Sequence, residues 1–454
     1  MSEKVTTEKD KIKKAESLPE EWKRVRLGEV IEDIGDGGTP PRDDHRNFGG
    51  SINWVVIDDI QKRIYRTAET LTEEGLKHSN AKVWKKGAVI LSFGATIGEV
   101  GIAEVELATK QGIAGIIPKD QVLINIFLYY ILKYKKNTLL GLANQTTLKE
   151  VRPNVIKEKV DFLLPPLPEQ RKIAEILETV DNAIEKTDAI IEKYRRIKKG
   201  LMADLLTGKI RLIPYGHSEA EGEESPLLTS PEAKKFVIGE KIIVTVPNQR
   251  WKDSPIGKIP EDWEVKKLGE AFNIKAGGDI SKLLYSDTKD EKFKYPIFSN
   301  TLENKGLYGY SDKFTYPENC VTITGRGTLG YAIPRFEKFN AIIRVLVLIP
   351  KLNVDITFIS EYINNSIYFV IESTGVPQLT APKVAEYYVP LPPLPEQQLI
   401  ADVLSQVDEV IEKEIQYEEK LERIKKGLME DLLTGKVRVN NLIKEDIQND
   451  TKVL

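Results

Sequence analysis

The order of apolar and polar positions divides the chain into two kinds of text. Two long stretches carry an apolar residue every seventh position. The first has Leu177, Ile184 and Ile191 beside Val180, Tyr194 and Leu201; the second has Leu404 and Ile411 beside Val407, Leu421 and Leu428. The series lapses at Thr187 in the first, and at Glu414 and Glu418 in the second. Such spacing, with charges between, marks long amphipathic helices. Pro165, Pro166 and Pro168 bar helix upstream of the first stretch, and Glu169 falls in its first turn, where the helix dipole favours a carboxylate. Thr207-Gly208 and Thr434-Gly435 supply the stops. Each helix is predicted at about 38 residues, roughly 57 Å at 1.5 Å per residue. An apolar stripe must be buried, and the obvious partner is the other helix, in an antiparallel coiled coil. The alternative is that each helix folds onto its own globular body.

Elsewhere the apolar runs are short and bounded by glycine and proline. Val89–Ser92, Ile113–Ile117, Val321–Thr324 and Ile342–Ile349 are predicted strands, and Ile124–Tyr134 and Phe358–Ile371 amphipathic helices. The fold class is α+β: two mixed α/β bodies and two long helices, with an internal pseudo-two-fold repeat. That repeat is explicit in the letters. LPPLPEQ occupies 164–170 and again 391–397, and the match runs without a gap to Arg211 and Arg438, about 30 of the 48 aligned pairs being identical. Upstream, LPEEWKRVRLGEV (18–30) parallels IPEDWEVKKLGEA (259–271) at an offset of 241 rather than 227, so the intervening bodies differ in length. The predicted order is a polar tail (1–16), a first body (17–160), the central helix (161–212), a connector with the acidic run GHSEAEGEESP (213–258), a second body (259–388), a second helix (389–439) and a polar tail (440–454). Inside the connector, FVIGEKIIVTV has the pattern of a strand.

Composition narrows the chemistry. At 454 residues the chain exceeds a single ordinary core. No run approaches the length of a membrane span, and the N-terminal letters lack the apolar core of a signal peptide, so a cytoplasmic location is expected. One cysteine and three scattered histidines argue against disulfides and a Cys- or His-based metal site. A net charge of −3 rules out a uniformly basic coat but not a local basic face. There is no GxxxxGK[ST] loop, no GxGxxG after a strand and no Asp/Asn-Pro-Pro-Tyr tetrapeptide. PEDWEVK (260–266) holds a Glu-x-Lys like that of metal-dependent nucleases, but its acidic neighbour is too close and Trp263 fits a packing role better. No catalytic or metal-binding residue is assigned.

The candidates are binding residues. Each body has a glycine-threonine turn, SFGATIG (92–98) and TGRGTLG (324–330), whose N–H groups and hydroxyls suit phosphate oxygens; an ordinary tight turn is the alternative. Thr96, Thr328 and Arg326 lie in these turns, and Lys110 and Gln111 follow the first. The loop GDGGTPPRDDHRNFGG (35–50) offers Thr39, Arg42 and Arg46; Arg and Gln are shaped for base edges. In the second body, FSNTLENKGLYGY (298–310) offers Asn300 and Lys305. On the helices, Leu177, Val180, Ile184, Leu201, Leu404, Val407, Ile411 and Leu428 are the candidate packing and partner-docking positions. Gly200 and Gly427 are expected to permit close approach, and the lysines of RIKKGLM to be solvated or to meet a partner.

Taken in order and in duplicate, LPEEW…LGE, GGTP, GATIG, KQG, LLPPLPEQRKIAEIL and the KKGLM-DLLTGK endings resemble the specificity subunit of type I restriction-modification enzymes, over nearly the whole chain. The resemblance implies that each body is a target-recognition domain for one half of a bipartite site on double-stranded DNA. It also implies that the helices set the spacer and seat two modification (methyltransferase) subunits, with restriction/translocase subunits joining them. S-adenosylmethionine, ATP and Mg would sit on those partners, no cofactor on this chain, and the chain would be non-catalytic. The second body lacks GGTP and has AGGDI (276–280) in its approximate place. The rival classes are a catalytic DNA methyltransferase or nuclease, and a coiled-coil scaffold with heads that bind something other than DNA.

Overall fold

The computed structural model describes residues 21–143, 150–214, 234–238, 241–247, 250–282, 284–370 and 377–444. The tail expected at 1–16, the end of the chain beyond 444 and the acidic run of the connector lie outside the described residues. The molecule divides into two units, one formed by 1–188 with 416–454 and the other by 189–415. Neither boundary follows a predicted body; each cuts a long helix.

The two bodies share a plan. In the first, Ile31–Asp36, Ile113–Pro118, Val89–Ser92, Val100–Ala103 and Arg63–Ile64 form one sheet in that order. In the second, Phe272–Ala276, Leu346–Pro350, Cys320–Ile323 and Ala332–Arg335 form its counterpart. A second, four-stranded sheet accompanies each. The predicted helix at Phe358 instead spans Ile356–Ser366, because Asp355 caps it through the amides of Thr357 and Phe358 at 2.9 and 2.8 Å. The strand predicted from Ile342 begins at Leu346, since Ile342–Val345 form a turn. The connector is partly structured: Ile210–Pro214 and Lys234–Ile238 both pair with Lys241–Pro247.

The central helix spans Leu167–Leu205 and the C-terminal helix Leu394–Leu433. Within each unit the beginning of one runs antiparallel to the end of the other. In the first unit Asp181 faces Lys425, and Glu169 faces Arg438 just past the helix end. In the second, Asp408 faces Lys198 and Glu396 faces Arg211. The bodies take part as well. Ile173, Leu177, Leu432 and Leu433 share a core with Phe127, Leu128 and Val89. Leu404, Ile400, Leu205 and Leu206 share one with Phe358, Ile359 and Val321. Both expected burial modes therefore coexist: the stripes meet each other, and their ends enter the body cores. Ile184 is buried, while Val180, Val407 and Ile411 are half-buried, as are Leu201 and Leu428 against those cores.

Each junction is closed by an ion pair to a buried glutamate, which explains the repeated letters. Glu169 accepts the Trp22 indole N–H and pairs with Arg438 at 2.6 Å. Glu396 accepts the Trp263 indole N–H and pairs with Arg211 at 2.7 Å, and Asp262 holds the other side of that guanidinium. Burial opposes the charge of Arg211, but the two carboxylates outweigh it and raise its pKa above the ordinary value. Gln170 and Gln397, the last letters of LPPLPEQ, donate to the carbonyls of Pro165 and Pro392 at the helix starts.

Two expectations for RIKKGLM are corrected. A Cβ on Gly200 or Gly427 would meet nothing within 4 Å, so neither glycine serves a close approach inside the chain. Lys198 and Lys425 are not free in solvent, being held by the aspartates of the opposite helix, whereas Lys199 and Lys426 are exposed.

Candidate nucleic-acid interface

Three loops of the first body, far apart in sequence, are bound edge to edge through their backbones. Gly37 donates to the Ile113 carbonyl at 3.1 Å and Gly38 to the Thr109 carbonyl at 2.9 Å. Phe93 and Gly94 both donate to the Gly112 carbonyl, at 2.9 and 3.1 Å. The GGTP, GATIG and KQG motifs thus form one cluster. Asp36 staples it, accepting the Gly37 and Gly112 N–H groups at 2.7 and 2.9 Å; burial raises its pKa and those two donors pull it back. A Cβ on Gly37 would lie 2.0 Å from the Thr109 carbonyl oxygen, which is why glycine stands there. The cluster rests on buried tryptophans: Trp54 donates to the Gly38 carbonyl at 3.1 Å and Trp84 to the Thr109 hydroxyl at 3.2 Å.

The same frame recurs in the second body. Gly277 donates to the Val345 carbonyl at 2.7 Å and Gly278 to the Ala341 carbonyl at 3.0 Å. AGGDI is therefore the structural counterpart of GGTP, with Ala276 in place of Asp36. One acceptor differs. The amides of Gly325 and Arg326, which correspond to Phe93 and Gly94, donate to the Asn300 side-chain oxygen at 2.7 and 3.3 Å rather than to a carbonyl. Asn300 also donates to the Ile343 carbonyl.

Among the predicted residues, Thr39, Thr96 and Gln111 are exposed on the first cluster, with Lys110 half-buried beside them. Arg326 and Thr328 are exposed on the second. Arg326 donates to Gln378 Oε1 at 3.3 and 3.0 Å, and the Thr328 carbonyl accepts from the Thr324 hydroxyl. Arg42 and Arg46 are exposed but already paired, with Glu69 at 2.5 Å and Asp44 at 2.7 Å, and Arg42 also lies over Phe48 and Trp54. Asn300 has its amide committed to loop backbone, which makes it a positioning residue. Lys305 is not brought to the cluster: its carbonyl accepts from Arg335 at 2.7 Å, and it lines a cavity of about 810 Å³ beside the C-terminal helix.

Sequence reasoning missed Ile343, Arg344 and Gln378. The turn Ile342–Val345 closes through the Val345 amide on the Ile342 carbonyl at 3.1 Å, as Lys110–Ile113 closes at 3.0 Å. Its central residues have φ of 52° and 65°, where the first body has a glycine, Gly112, at 88°. Holding non-glycine residues there costs about 1–2 kcal/mol each. Aligning the strands on both sides of KQG with those around IIR would have found it.

Among the described residues, no group of His, Cys, Asp and Glu is placed to hold a metal, and no helix is long and apolar enough to cross a membrane. Cys320 is buried, and burial pushes its thiol up to about 11.

Residues 19–193 and 260–423 match the type I restriction modification DNA specificity domain, once for each body with most of its following helix. The chain belongs to this family. Similar relatives include the type I restriction enzyme MjaVIII and MjaIX specificity subunits of Methanocaldococcus jannaschii. They are 26% and 25% identical over 454 and 450 residues, covering 94% of this chain and 95% of each relative. The fold is similar to the type I restriction-modification S subunit from M. genitalium, with a TM-score of 0.58 at 17% identity, covering 92% of this chain and 98% of that one. The fold shared with that S subunit is the one the repeated motifs imply: two mixed α/β bodies and a pair of long helices.

Proposed function

We propose that the chain is the DNA sequence-specificity subunit of a type I restriction-modification complex, non-catalytic on its own and working in the cytoplasm. One observation carries the reading. Both bodies build the same three-loop frame and keep a threonine at one place in it, Thr96 and Thr328, yet differ elsewhere: Thr39, Gly94, Gln111 and Gly112 in one, Asp279, Arg326, Ile343 and Arg344 in the other. Equal frames with unequal side chains suit two unequal half-sites on double-stranded DNA, since base edges are read by side chains while backbone positions the duplex. The near-identical helices offer two equivalent seats for modification subunits, to which restriction/translocase subunits add. S-adenosylmethionine, ATP and Mg belong to those partners. The nuclease alternative is weakened by Asp262, whose carboxylate is taken by Arg211.

Methylome sequencing of cells expressing the chain with its modification subunit tests this reading. The expected result is an asymmetric bipartite motif, and adding a helical turn within 169–206 should change its spacer but neither half. Absence of bipartite methylation, or micromolar binding of S-adenosylmethionine by the isolated chain, would refute it.

A further inference from the structure

We propose that Arg344 is a specificity-determining residue of the second body, a base-reading side chain held out by a left-handed turn; this rests on the DNA-reading role proposed above. The φ values at Ile343 and Arg344, with the Val345-to-Ile342 hydrogen bond, follow the pattern of a type I′ turn, which glycine and asparagine fill at least cost. A β-branched residue and an arginine fill it here. The fold enforces the conformation from three sides. Ile343 donates to the Gly278 carbonyl at 3.1 Å, Asn300 donates to the Ile343 carbonyl, and the Arg344 carbonyl is packed against Gly325, where a Cβ would come within 2.4 Å. Among the described residues no side-chain packing repays the strain: Ile343 is 45% exposed and Arg344 is exposed.

Backbone strain that surrounding structure imposes and packing does not repay is characteristic of binding sites. Its effect here is to fix where the arginine leaves the surface. Asn300 ties this turn to the loop carrying Arg326, so both arginines rise from one frame. Unlike Arg42 and Arg46, Arg344 has no carboxylate within salt-bridge distance among the described residues, so its fork is open to a ligand. Guanidinium matches the paired acceptors of guanine in the major groove; in the first body Gly112 stands at the Arg344 place, and the turn presents Gln111 one residue earlier.

The test uses the full chain in complex with its modification subunit, comparing Arg344→Gly and Arg344→Lys. Glycine suits a φ of 65°, so Arg344→Gly should fold with no loss of melting temperature. It should lose at least tenfold in affinity for the cognate site, and its methylome should relax at one position of the second half-site while the first half stays unchanged. Arg344→Lys, which keeps the charge but not the fork, should relax the same position. The proposal is overturned if Arg344→Gly leaves motif and affinity intact, or if Arg344→Lys restores full discrimination, the mark of a phosphate contact. A wild-type complex that methylates no bipartite motif would instead overturn the DNA-reading role itself.

Discussion

Asp181 and Asp408 hold the same position in the two copies of the long helix, and each faces the same lysine of the other copy. Their surroundings differ. Asp181 is 5% exposed and takes Lys62, Lys425 and the Tyr130 hydroxyl at 2.9, 2.9 and 2.6 Å. Asp408 is 46% exposed and, among the described residues, takes Lys198, a lysine it shares with Glu361. The helices repeat the geometry, while the body packed on each decides what the geometry is worth. The same holds at the junctions, where Arg211 is 5% exposed between two carboxylates and Arg438 is 26% exposed.

The junctions give the largest expected contrast. Arg211→Met strands the buried Glu396 and should cost about 3–5 kcal/mol, whereas Arg438→Met, at a wetter site, should cost about half as much. Denaturant unfolding of both variants measures the gap, and equal losses would break the comparison. Next come the aspartates. Asp181→Asn should cost about 2–3 kcal/mol and Asp408→Asn less than about 1. Burial raises the Asp181 pKa, but hydrogen bonds from Tyr130, Lys425 and Lys62 outweigh it and leave the value below 3.8. A depressed carboxyl contributes its stability above its unfolded pKa and loses it as pH falls through the folded one. The melting-temperature difference between wild type and Asp181→Asn should therefore be full at neutral pH and shrink only below about pH 4. The smallest effect belongs to the helix glycines. Gly200→Ala and Gly427→Ala add a Cβ into open space and should each stabilise by about 0.5–1 kcal/mol. A loss of stability at either would show a packing contact that the structure lacks.

The long helices were legible because a seven-residue apolar step has few other readings, and the strands at Val89 and Ile113 because glycines and prolines bound them. Glu169 was readable only as a helix-start carboxylate. Its tie to Trp22 and Arg438 spans separations of 147 and 269 residues, which no local pattern encodes. The three-loop frame was half legible. Glycine motifs flagged the pieces, but the hydrogen bonds that assemble them run between backbones and leave no letter behind. Arg344 escaped for the opposite reason: the turn that presents it lacks the glycine that normally announces one.

The division of the units also orders events in time. The second unit is a single run, 189–415, whereas the first needs Leu432, Leu433 and Val439 to complete a core begun by Trp22 and Leu27. On the ribosome the second unit can close first, and the first must wait, with part of its apolar surface uncovered, until Leu432, 244 positions after residue 188, arrives. A break in synthesis near residue 415 would then leave the nearer body whole and the distant one unfinished.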